Sequence, residues 1–476
     1  MSESCCTPPK GNGHYDLAVI GAGSAGFSAA ITAADQGAQV ALIGHGTIGG
    51  TCVNVGCVPS KAFIRAAEAI HHANTAPRFA GVVGNARLTD WTALRAQKDA
   101  LVGSLRQAKY IDLLPAYNSV AYLEGKASLG NGGIMIDGKH IDAGKIIVAT
   151  GSHEFVPPIS GIEDVPYLTS TSAFEMESLP DSMIVIGGGY IGCELAQMFA
   201  RLGVKMTIVF RSRLLPEGEP EISNALTGYF EEEGIVVRRV GAYDSIHTSD
   251  GGIALSVTMD GNAETLEARR VLLSAGRKAN TDGLGLEGAG IALLPNGGIK
   301  VDDRMRTTKA GIYAAGDVTG RDQFVYMAAY GAKIAASNAL NGDGRSYDNS
   351  AMPAVVFTDP QVASVGLTEA AARARGITVK TSVLTLDNVP RALAARDTRG
   401  LIKLLADGAT GKLIGAHIIA PEGADSIQTA ALAIKQGMTY SELGNMIFPY
   451  LTTVEGLKLA AQTFDMDVSK LSCCAG

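Results

Sequence analysis

The stretch that decides the fold is YDLAVIGAGSAGFSAAITAADQGAQVALI at residues 15–43. Its apolar start, Tyr15–Ile20, predicts a buried parallel strand, and the small residues after the glycines predict a helix that ends near Gly37. A second apolar run at 39–43 predicts a second strand. The segment is therefore predicted to be one complete βαβ unit.

The glycines of this segment are spaced as in dinucleotide-binding turns. Gly21 permits a tight turn, Gly23 lets the backbone approach a pyrophosphate, and Gly26 lets the helix pack closely on the strand. An ordinary glycine turn is the alternative, but the position between a buried strand and a helix favours phosphate binding. Gly44 and His45 stand where an acidic residue normally binds the ribose, so that contact is expected from elsewhere, such as a backbone amide or His45.

A second unit of the same kind follows at 183–210 with MIVIGGGYIGCELAQMFARLGVKMTIVF. Its turn contains Gly187, Gly189 and Gly192, which predicts a second dinucleotide site. Arg211 and Arg213 follow its second strand without a carboxylate, and guanidinium groups there would pair with a 2′-phosphate. The second site is therefore predicted to prefer NADP to NAD. The alternative is that both arginines are solvated surface residues.

Composition excludes several classes of function. The 476 residues are 46% hydrophobic and 18% charged, with a formal net charge of −7 and no long basic run. Such a chain is expected to be compact and has no attraction to nucleic acid or to an anionic membrane surface. The sequence contains neither an apolar stretch long enough to span a bilayer nor a signal peptide, so a cytoplasmic protein without membrane insertion is expected.

The order of the predicted elements gives an α/β protein with two Rossmann-like dinucleotide-binding domains and a C-terminal α+β domain. A long helical region from about Cys57 to Leu114 is expected between the two units, and the strand GIYAAGD at 311–317 is expected to open a further helix. The predicted parts are a disordered N-terminus (1–13), a first dinucleotide-binding domain in two pieces (14–152 and 280–349), a second one (153–279) and a C-terminal domain (350–476).

Cysteine placement indicates redox or metal chemistry. The segment GGTCVNVGCVPSK at 49–61 holds Cys52 and Cys57, which would lie on neighbouring turns of a helix entered at about Cys52. A helix N-terminus lowers a thiol pKa and favours a reactive thiolate. Two buried small hydrophobic residues are the alternative, but they would not explain the surrounding glycines and proline.

These motifs resemble those of the FAD-dependent pyridine nucleotide-disulfide oxidoreductases. The resemblance covers nearly the whole chain and rests on GAGSAG, CVNVGC, ATGS at 149–152, GGGYIG, SAGRKANT at 274–281 and GIYAAGDVTG at 311–320. It implies FAD at the first site and NADPH at the second. It also implies that Cys52 is the interchange thiol, that Cys57 contacts the flavin, and that Lys61 lies near the flavin with Glu194 as its ion-pair partner. Asp317 would hold the ribityl chain, and the resemblance places Thr51, Thr150 and Gly151 among the cofactor-binding residues.

The C-terminal region distinguishes members of that family. Its disulfide reductases carry an acid-base histidine five positions before a glutamate, but here Tyr450 precedes Glu455. A phenol with a pKa near 10 is a poor acid-base catalyst at neutral pH, so an organic disulfide is not the expected substrate. Cys473 and Cys474 near the end are geometrically poor for an ordinary disulfide but are good ligands for a soft cation.

The segments AMPAVVFTDPQVASVG, TLDNVPRALA, FPYLTTVEGLKLAAQTF and LSCCAG are similar to those of the mercuric reductases, a branch of the family. The resemblance implies reduction of Hg(II) to Hg(0), with thiol complexes of Hg(II) as substrates. It also implies a homodimer in which Cys473 and Cys474 pass the metal to Cys52 and Cys57 of the other subunit, near Tyr110 and Tyr450.

Some features leave alternatives open. The chain has thirteen residues before its first strand, so a form without an N-terminal metal-binding domain is expected, with Cys5 and Cys6 as a reduced substitute or as part of a functionless terminus. Cys193 is expected to be core packing. The alternative functions are an NADPH-dependent flavin reductase of an unusual disulfide or other thiophilic substrate, and a thiol-rich protein that sequesters metal without catalysis.

Overall fold

A computed structural model describes residues 14–130 and 133–468 of the chain. These residues form two compact units. The first contains residues from 14–62, 92–155 and 276–348, and the second contains residues from 63–91, 156–275 and 349–468. Cys5, Cys6, Cys473 and Cys474 lie outside the described residues, as does the N-terminus that was expected to be disordered.

In chain order, the strands are β1 (His14–Ile20), β2 (Val40–Gly44), β3 (Val120–Glu124), β4 (Ala127–Gly130), β5 (Gly133–Ile136), β6 (Lys139–Val148), β7 (Ser152–Glu154), β8 (Leu168–Thr169), β9 (Ser182–Ile186), β10 (Lys205–Phe210), β11 (Val236–Arg239), β12 (Ala242–Ser249), β13 (Gly252–Met259), β14 (Asn262–Ala268), β15 (Arg270–Leu273), β16 (Arg277–Ala279), β17 (Ile312–Ala314), β18 (Pro353–Val356), β19 (Gln361–Gly366), β20 (Val379–Thr385), β21 (Leu401–Asp407) and β22 (Leu413–Ala420).

The α-helices are α1 (Ser24–Ala34), α2 (Gly50–Asn54), α3 (Cys57–Thr75), α4 (Trp91–Arg106), α5 (Ser170–Ala173), α6 (Tyr190–Arg201), α7 (Pro220–Glu232), α8 (Val325–Asn341), α9 (Glu369–Ala374), α10 (Pro390–Ala395), α11 (Gly423–Lys435), α12 (Tyr440–Gly444) and α13 (Glu455–Gln462).

The first unit is built on a sheet with strand order β3-β2-β1-β6-β5-β4, to which β17 adds on β6. Strands β3, β2, β1, β6 and β17 are parallel neighbours, whereas β4 and β5 pair antiparallel. Helices α1 and α8 pack together, and the Ser28 hydroxyl on α1 donates to the Ala329 carbonyl at 2.9 Å. The carboxyl ends of β1 and β2 therefore meet the start of α1, where parallel α/β sheets bind their ligands.

The second unit contains a five-stranded parallel sheet of order β11-β10-β9-β15-β8, with α6 following β9. An antiparallel sheet, β12-β13-β14, packs its apolar face against this sheet, and Ile184, Val209 and Leu255 are among the buried residues of their common core. A second five-stranded sheet, β18-β19-β22-β21-β20, is wholly antiparallel and is covered by α11 and α13.

The predicted fold class is confirmed: both βαβ units are present, and an α+β part follows them. The predicted helical region contains α3 and α4, which are separated by a 3₁₀ turn at Ala76–Arg78 and by non-helical residues at 79–90. Pro77 cannot donate a backbone hydrogen bond, which ends the helix. The strand at Ile312–Ala314 is followed first by a 3₁₀ turn, Asp317–Thr319, and only then by α8. The domain boundaries drawn from the sequence stay a prediction.

Within the part of the chain that the structure describes, no helix combines the length and the apolar character needed to cross a bilayer.

Candidate active site

The two cysteines of the central motif lie on separate helices. Cys52 is the third residue of α2 and Cys57 is the first residue of α3, so the single helix predicted from the sequence is wrong. Val55 leaves the helical conformation with φ −137° and ψ 3°, which ends α2. A side chain at Gly56 would begin 3.0 Å from the Thr51 carbonyl oxygen, so glycine lets the start of α3 fold back against α2. This turn brings the two thiols together.

The surroundings of Cys52 shift the pKa of its thiol. A hydrogen bond to Cys57 raises the pKa of Cys52, burial raises it further, and the nearby charge of Lys61 only partly offsets these effects. The expectation of a thiolate favoured by a helix N-terminus is therefore wrong for Cys52. Cys57 begins the 19-residue helix α3, whose dipole favours an anion at this end.

Short helix α2 is held by side-chain hydrogen bonds. The Asn54 amide donates to the carbonyls of Ile48 and Gly50 at 2.9 and 2.8 Å, and Arg106 on α4 donates to its carbonyl oxygen at 3.1 Å. An isolated helix of five residues is unstable, so these bonds fix the position of Cys52.

The first glycine turn has the geometry of a phosphate cradle. Gly21 has φ +120°, and a Cβ there would lie 2.2 Å from the Ala149 carbonyl oxygen. A Cβ at Gly26 would lie 1.7 Å from the Gly21 carbonyl oxygen, so only glycine lets α1 approach β1 this closely. Gly23 is the N-cap of α1, whose free N–H groups suit a pyrophosphate. These residues fit the diphosphate of FAD.

A hydrogen-bonded group surrounds the predicted flavin residue Asp317. The Ser152 hydroxyl donates to the Asp317 carboxylate at 2.7 Å, and Arg277 donates to the Ser152 hydroxyl and carbonyl at 2.7 and 2.6 Å. The Arg277 Nε lies 3.9 Å from the Asp317 carboxylate. Ser152 lies in ATGS and Arg277 in SAGRKANT, but neither local motif predicts the contact between them.

Two other predicted cofactor residues, Thr150 and Gly151, directly precede Ser152, and Thr51 lies on α2. The Thr150 hydroxyl donates to the Asn280 carbonyl at 2.7 Å, and Gly151 has φ +73°. Thr51 is exposed on α2, next to Cys52.

The second glycine turn has the same geometry as the first. Gly187 has φ +118°, a Cβ on it would lie 2.4 Å from the Ser274 carbonyl oxygen, and a Cβ on Gly192 would lie 2.0 Å from the Gly187 carbonyl oxygen. Gly189 is the N-cap of α6 and faces open space. The two arginines beyond β10 differ: Arg211 is exposed, whereas Arg213 donates to the carbonyls of its own loop. Those acceptors are Pro216 and Gly218, at 2.8 and 2.7 Å.

Glu194 is buried on α6, where its carboxylate accepts a hydrogen bond from the Phe357 N–H at 2.9 Å. Its predicted ion pair with Lys61 stays a prediction. Cys193, its neighbour, is fully buried with its thiol 3.5 Å from the Gly188 carbonyl oxygen, and burial raises its pKa. The prediction that Cys193 is core packing is confirmed.

The two predicted tyrosines have different surroundings. Tyr110 lies in a π-helical turn, with its ring 4.9 Å from Phe27 in an edge-on contact and its hydroxyl 3.4 Å from that of Ser24. Tyr450 is 52% exposed. The Glu455 carboxylate, at the start of α13, accepts a hydrogen bond from the Leu451 N–H at 3.1 Å. The roles of both tyrosines stay predictions.

One carboxylate cluster among the described residues has the spacing of a metal site, at Glu219, Glu221 and Glu369. The Lys403 ammonium lies 2.9, 2.8 and 2.9 Å from these three carboxylates and is almost fully buried. Because a protein cation already sits among them, the cluster is an internal salt-bridge network.

Comparison with known proteins identifies the family. The profile described as pyridine nucleotide-disulphide oxidoreductase matches residues 15–335, and the profile of its dimerisation domain matches residues 352–461. The chain belongs to the pyridine nucleotide-disulphide oxidoreductase family. The resemblance drawn from the motifs is thus confirmed at the level of the family.

Relatives within this oxidoreductase family are similar over nearly the whole chain. The chain is 46% identical to a mercuric reductase of Streptomyces lividans over 471 residues, covering 97% of this chain and 98% of that protein. It is 47% identical to a mercuric reductase of Shigella flexneri, covering 98% and 83% respectively. Among solved structures, the HOCl-induced flavoprotein disulfide reductase RclA of Escherichia coli matches with a TM-score of 0.82 and 31% identity, over 94% of this chain and 99% of that one.

Proposed function

We propose that the chain reduces Hg(II) to Hg(0) with NADPH, through FAD and the dithiol of Cys52 and Cys57, and thereby detoxifies mercury. The observation that carries the proposal is this hydrogen-bonded thiol pair beside a dinucleotide cradle, in a chain 46% identical to a mercuric reductase over almost its full length. The overall reaction is NADPH + Hg(II) → NADP⁺ + H⁺ + Hg(0), in which the two electrons of the hydride reduce the metal.

The residues of the chain bind and orient the reactants. Gly21, Gly23 and Gly26 would hold the diphosphate of FAD, with Asp317 at the ribityl chain. FAD, when bound, accepts hydride from NADPH and supplies electrons to the thiol site. In the second cradle the N-terminus of α6 would bind the NADPH diphosphate, and Arg211 is the more available partner for the 2′-phosphate, since Arg213 already bonds its own loop.

The thiols suit a soft metal substrate. Thiolate sulfur binds Hg(II) strongly, and Hg(0) has little affinity for it, so the product leaves easily. Both thiols can bind Hg(II) as thiolates, with Cys52 as the first to exchange with the substrate, and metal binding releases the proton that a thiol carries. Lys61 lies near enough for its charge to favour the thiolate form of Cys52. Tyr450 in place of an acid-base histidine supports a metal rather than a disulfide, because electron transfer to Hg(II) requires no protonation of a leaving thiol.

Delivery of the metal completes the proposal. Cys473 and Cys474 would take Hg(II) from external thiols and pass it to Cys52 and Cys57 of the partner in a homodimer, near Tyr110 and Tyr450. The dimerisation-domain match at 352–461 supports a dimer, and the shared site is the proposed part. We also propose a cytoplasmic location, where NADPH and reduced thiols are available.

The alternative is reduction of another thiophilic substrate. It is favoured by one solved structure, at a TM-score of 0.83 and 30% identity, that is described as a Cu(II) complex of RclA from Escherichia coli. A protein that only sequesters metal is the second alternative and predicts no turnover.

Purified protein loaded with FAD tests these functions directly. NADPH oxidation and release of Hg(0) vapour would be measured with Hg(II) in excess thiol, beside parallel reactions with Cu(II) and a panel of disulfides. We expect turnover with Hg(II) and one Hg(0) per NADPH. Faster turnover of a disulfide or of Cu(II), or stoichiometric binding of Hg(II) without NADPH oxidation, would contradict the proposal.

A further inference from the structure

The first dinucleotide site lacks the usual ribose ligand. Dinucleotide folds place an acidic side chain at the carboxyl end of their second strand, where it accepts hydrogen bonds from the ribose hydroxyls. Strand β2 ends instead at Gly44, and His45 after it is exposed. A substitute acceptor is therefore needed if the adenosine end is to be bound as tightly.

Tyr122 fills the place of the missing side chain. An ideal Cβ on Gly44 would lie 2.4 Å from the Tyr122 hydroxyl oxygen and 2.9 Å from the Ala22 Cβ. A residue larger than glycine at 44 would therefore require the phenol ring to move. Because Ala22 belongs to the phosphate-binding turn, these contacts also show which side of the strand faces the cradle.

Glu124 lies directly beside this position on the neighbouring strand. Strands β2 and β3 are parallel, with Leu42 opposite Tyr122 and Gly44 opposite Glu124, and the Gly125 N–H donates to the Gly44 carbonyl at 2.8 Å. Residues paired in a parallel sheet, and residues two apart on one strand, share a face. Since Tyr122 lies on the Gly44 Cβ side, Glu124 projects from that same face, about 4.8 Å away on the next strand.

We infer that Glu124 provides the carboxylate for the adenosine ribose of FAD, with Tyr122 filling the volume left by Gly44. The inference rests on the FAD binding of the proposed function. Glu124 is exposed at the last position of β3, so its carboxylate is open to a ligand at the carboxyl edge of the sheet. A carboxylate can accept from both hydroxyls of a ribose, whereas an imidazole ring offers at most one acceptor.

The first experiment is titration of FAD into apoprotein, followed by flavin fluorescence. Glu124→Gln should raise the FAD dissociation constant about 10- to 100-fold, the range for loss of a charge-assisted hydrogen bond. Glu287→Gln is the matched control, because Glu287 is an exposed glutamate elsewhere in the same unit, and it should leave binding unchanged. FMN, which lacks the adenosine half, serves as a second ligand whose affinity should not respond to Glu124→Gln.

The outcomes separate this inference from the function on which it rests. Unchanged FAD affinity in Glu124→Gln, or a loss confined to His45→Ala, would overturn the ribose assignment while FAD binding itself stands. An equal loss for FMN and FAD would overturn it too, because the effect would then not involve the ribose. Failure of the unsubstituted protein to bind FAD would instead overturn the proposed function.

A second experiment relocates the carboxylate. In a Gly44→Glu/Tyr122→Ala background, the usual position regains an acid and the space to hold it. Adding Glu124→Gln to this background should cost less than about twofold in FAD affinity, since two carboxylates then compete for one pair of hydroxyls. The same loss as in the native background would contradict the idea that the two positions are equivalent.

Discussion

At the residue scale, Cys52 and Cys57 differ in what surrounds each sulfur. Cys57 begins a long helix, whereas the hydrogen bond to Cys57 and burial raise the pKa of Cys52. We propose that the two thiols have different roles: Cys52 exchanges with substrate, and Cys57 stays beside the flavin.

Substitution of either thiol tests this division. Cys52→Ala and Cys57→Ala should each abolish mercury-dependent NADPH oxidation while FAD remains bound, because the cradle residues are unchanged. Only Cys57→Ala should also remove the long-wavelength absorbance that a thiolate produces against an oxidised flavin. Cys193→Ala is the matched control: a buried thiol is lost, at about 1 kcal/mol of stability, but turnover should persist. Normal turnover in Cys52→Ala or in Cys57→Ala would refute the assignment of these thiols to the reaction.

The two arginines beyond β10 allow a second test. Arg211 is exposed, whereas Arg213 bonds the carbonyls of its loop. Replacing both with glutamine should raise the KM for NADPH about 10- to 100-fold and change the KM for NADH little, because only NADPH carries the 2′-phosphate. Among the single variants, Arg211→Gln should carry most of the selectivity. Steady-state kinetics with both nucleotides measure this, and equal effects on the two would reject NADP selectivity.

Residues adjacent in sequence were the most predictable. The glycine turns and the Cys52–Cys57 motif are local patterns with a direct physical meaning. The protonation of Cys52 was predicted wrongly, because it depends on the break at Val55 and Gly56 that brings the second thiol against the first. The contact between Ser152 and Arg277 joins residues 125 positions apart, and local patterns carry no information about such a pair.

At the scale of elements, helix α3 carries two neighbouring histidines into an ion-pair network. His71 lies 3.9 Å from the Glu233 carboxylate, and His72 lies 3.5 Å from the Asp359 carboxylate. Burial and the charge of Arg201 lower the pKa of His71 to about 4, whereas a hydrogen bond to Asp359 raises the pKa of His72. The two histidines therefore respond to pH in opposite directions.

The shift in each histidine pKa on folding determines whether acidification stabilises or destabilises the fold. Unfolded His71 binds a proton below about pH 6.5 and folded His71 only near pH 4, so acidification through this window destabilises the fold by at most about 3 kcal/mol. Stability from His72 is complete below about pH 6.5 and is lost as the pH rises through its raised folded pKa. His71→Gln should thus lose less stability than the parent between pH 7 and pH 5, and His72→Gln should differ most from the parent at acid pH.

Urea unfolding followed by tryptophan fluorescence measures both effects. Trp91 is the single tryptophan, and it stacks on Phe63 in the unit that contains both histidines. Parallel pH dependence in the two variants would contradict the assignment of opposite shifts.

Element order was more predictable than element ends. Apolar runs revealed both βαβ units, but the helical composition between Cys57 and Leu114 concealed the interruption after Thr75. The network around Asp359 joins α3, α6 and the segment before β21, and no periodicity in any one of them predicts it.

At the scale of the whole molecule, the proposed reaction raises a problem of delivery. Cys473 and Cys474 stand more than 400 positions after Cys52 and Cys57, the inner pair, in the sequence. A half-buried dithiol is poorly placed to remove Hg(II) from bulky external thiols, so a relay is needed. A Cys473→Ala/Cys474→Ala variant should lose turnover with Hg(II) bound by glutathione, keep flavin reduction by NADPH, and retain part of its activity with a small mercuric halide.

Mixed dimers decide which subunit receives Hg(II) from each C-terminal cysteine pair, Cys473 and Cys474, called the tail below. One subunit would lack Cys52 and Cys57, and the other would lack Cys473 and Cys474. If the tail delivers to its partner, the intact tail of the first subunit faces the intact inner pair of the second, so one working centre and about half the activity of the native dimer remain. If each tail serves its own subunit, no subunit holds both pairs and activity is lost. Tandem purification with two different tags isolates the heterodimer, and dimers that combine one native subunit with either variant calibrate the activity of a single centre. Zero turnover in the verified mixed dimer, alongside active calibration dimers, would refute delivery between subunits, because every thiol that the handover requires is then present.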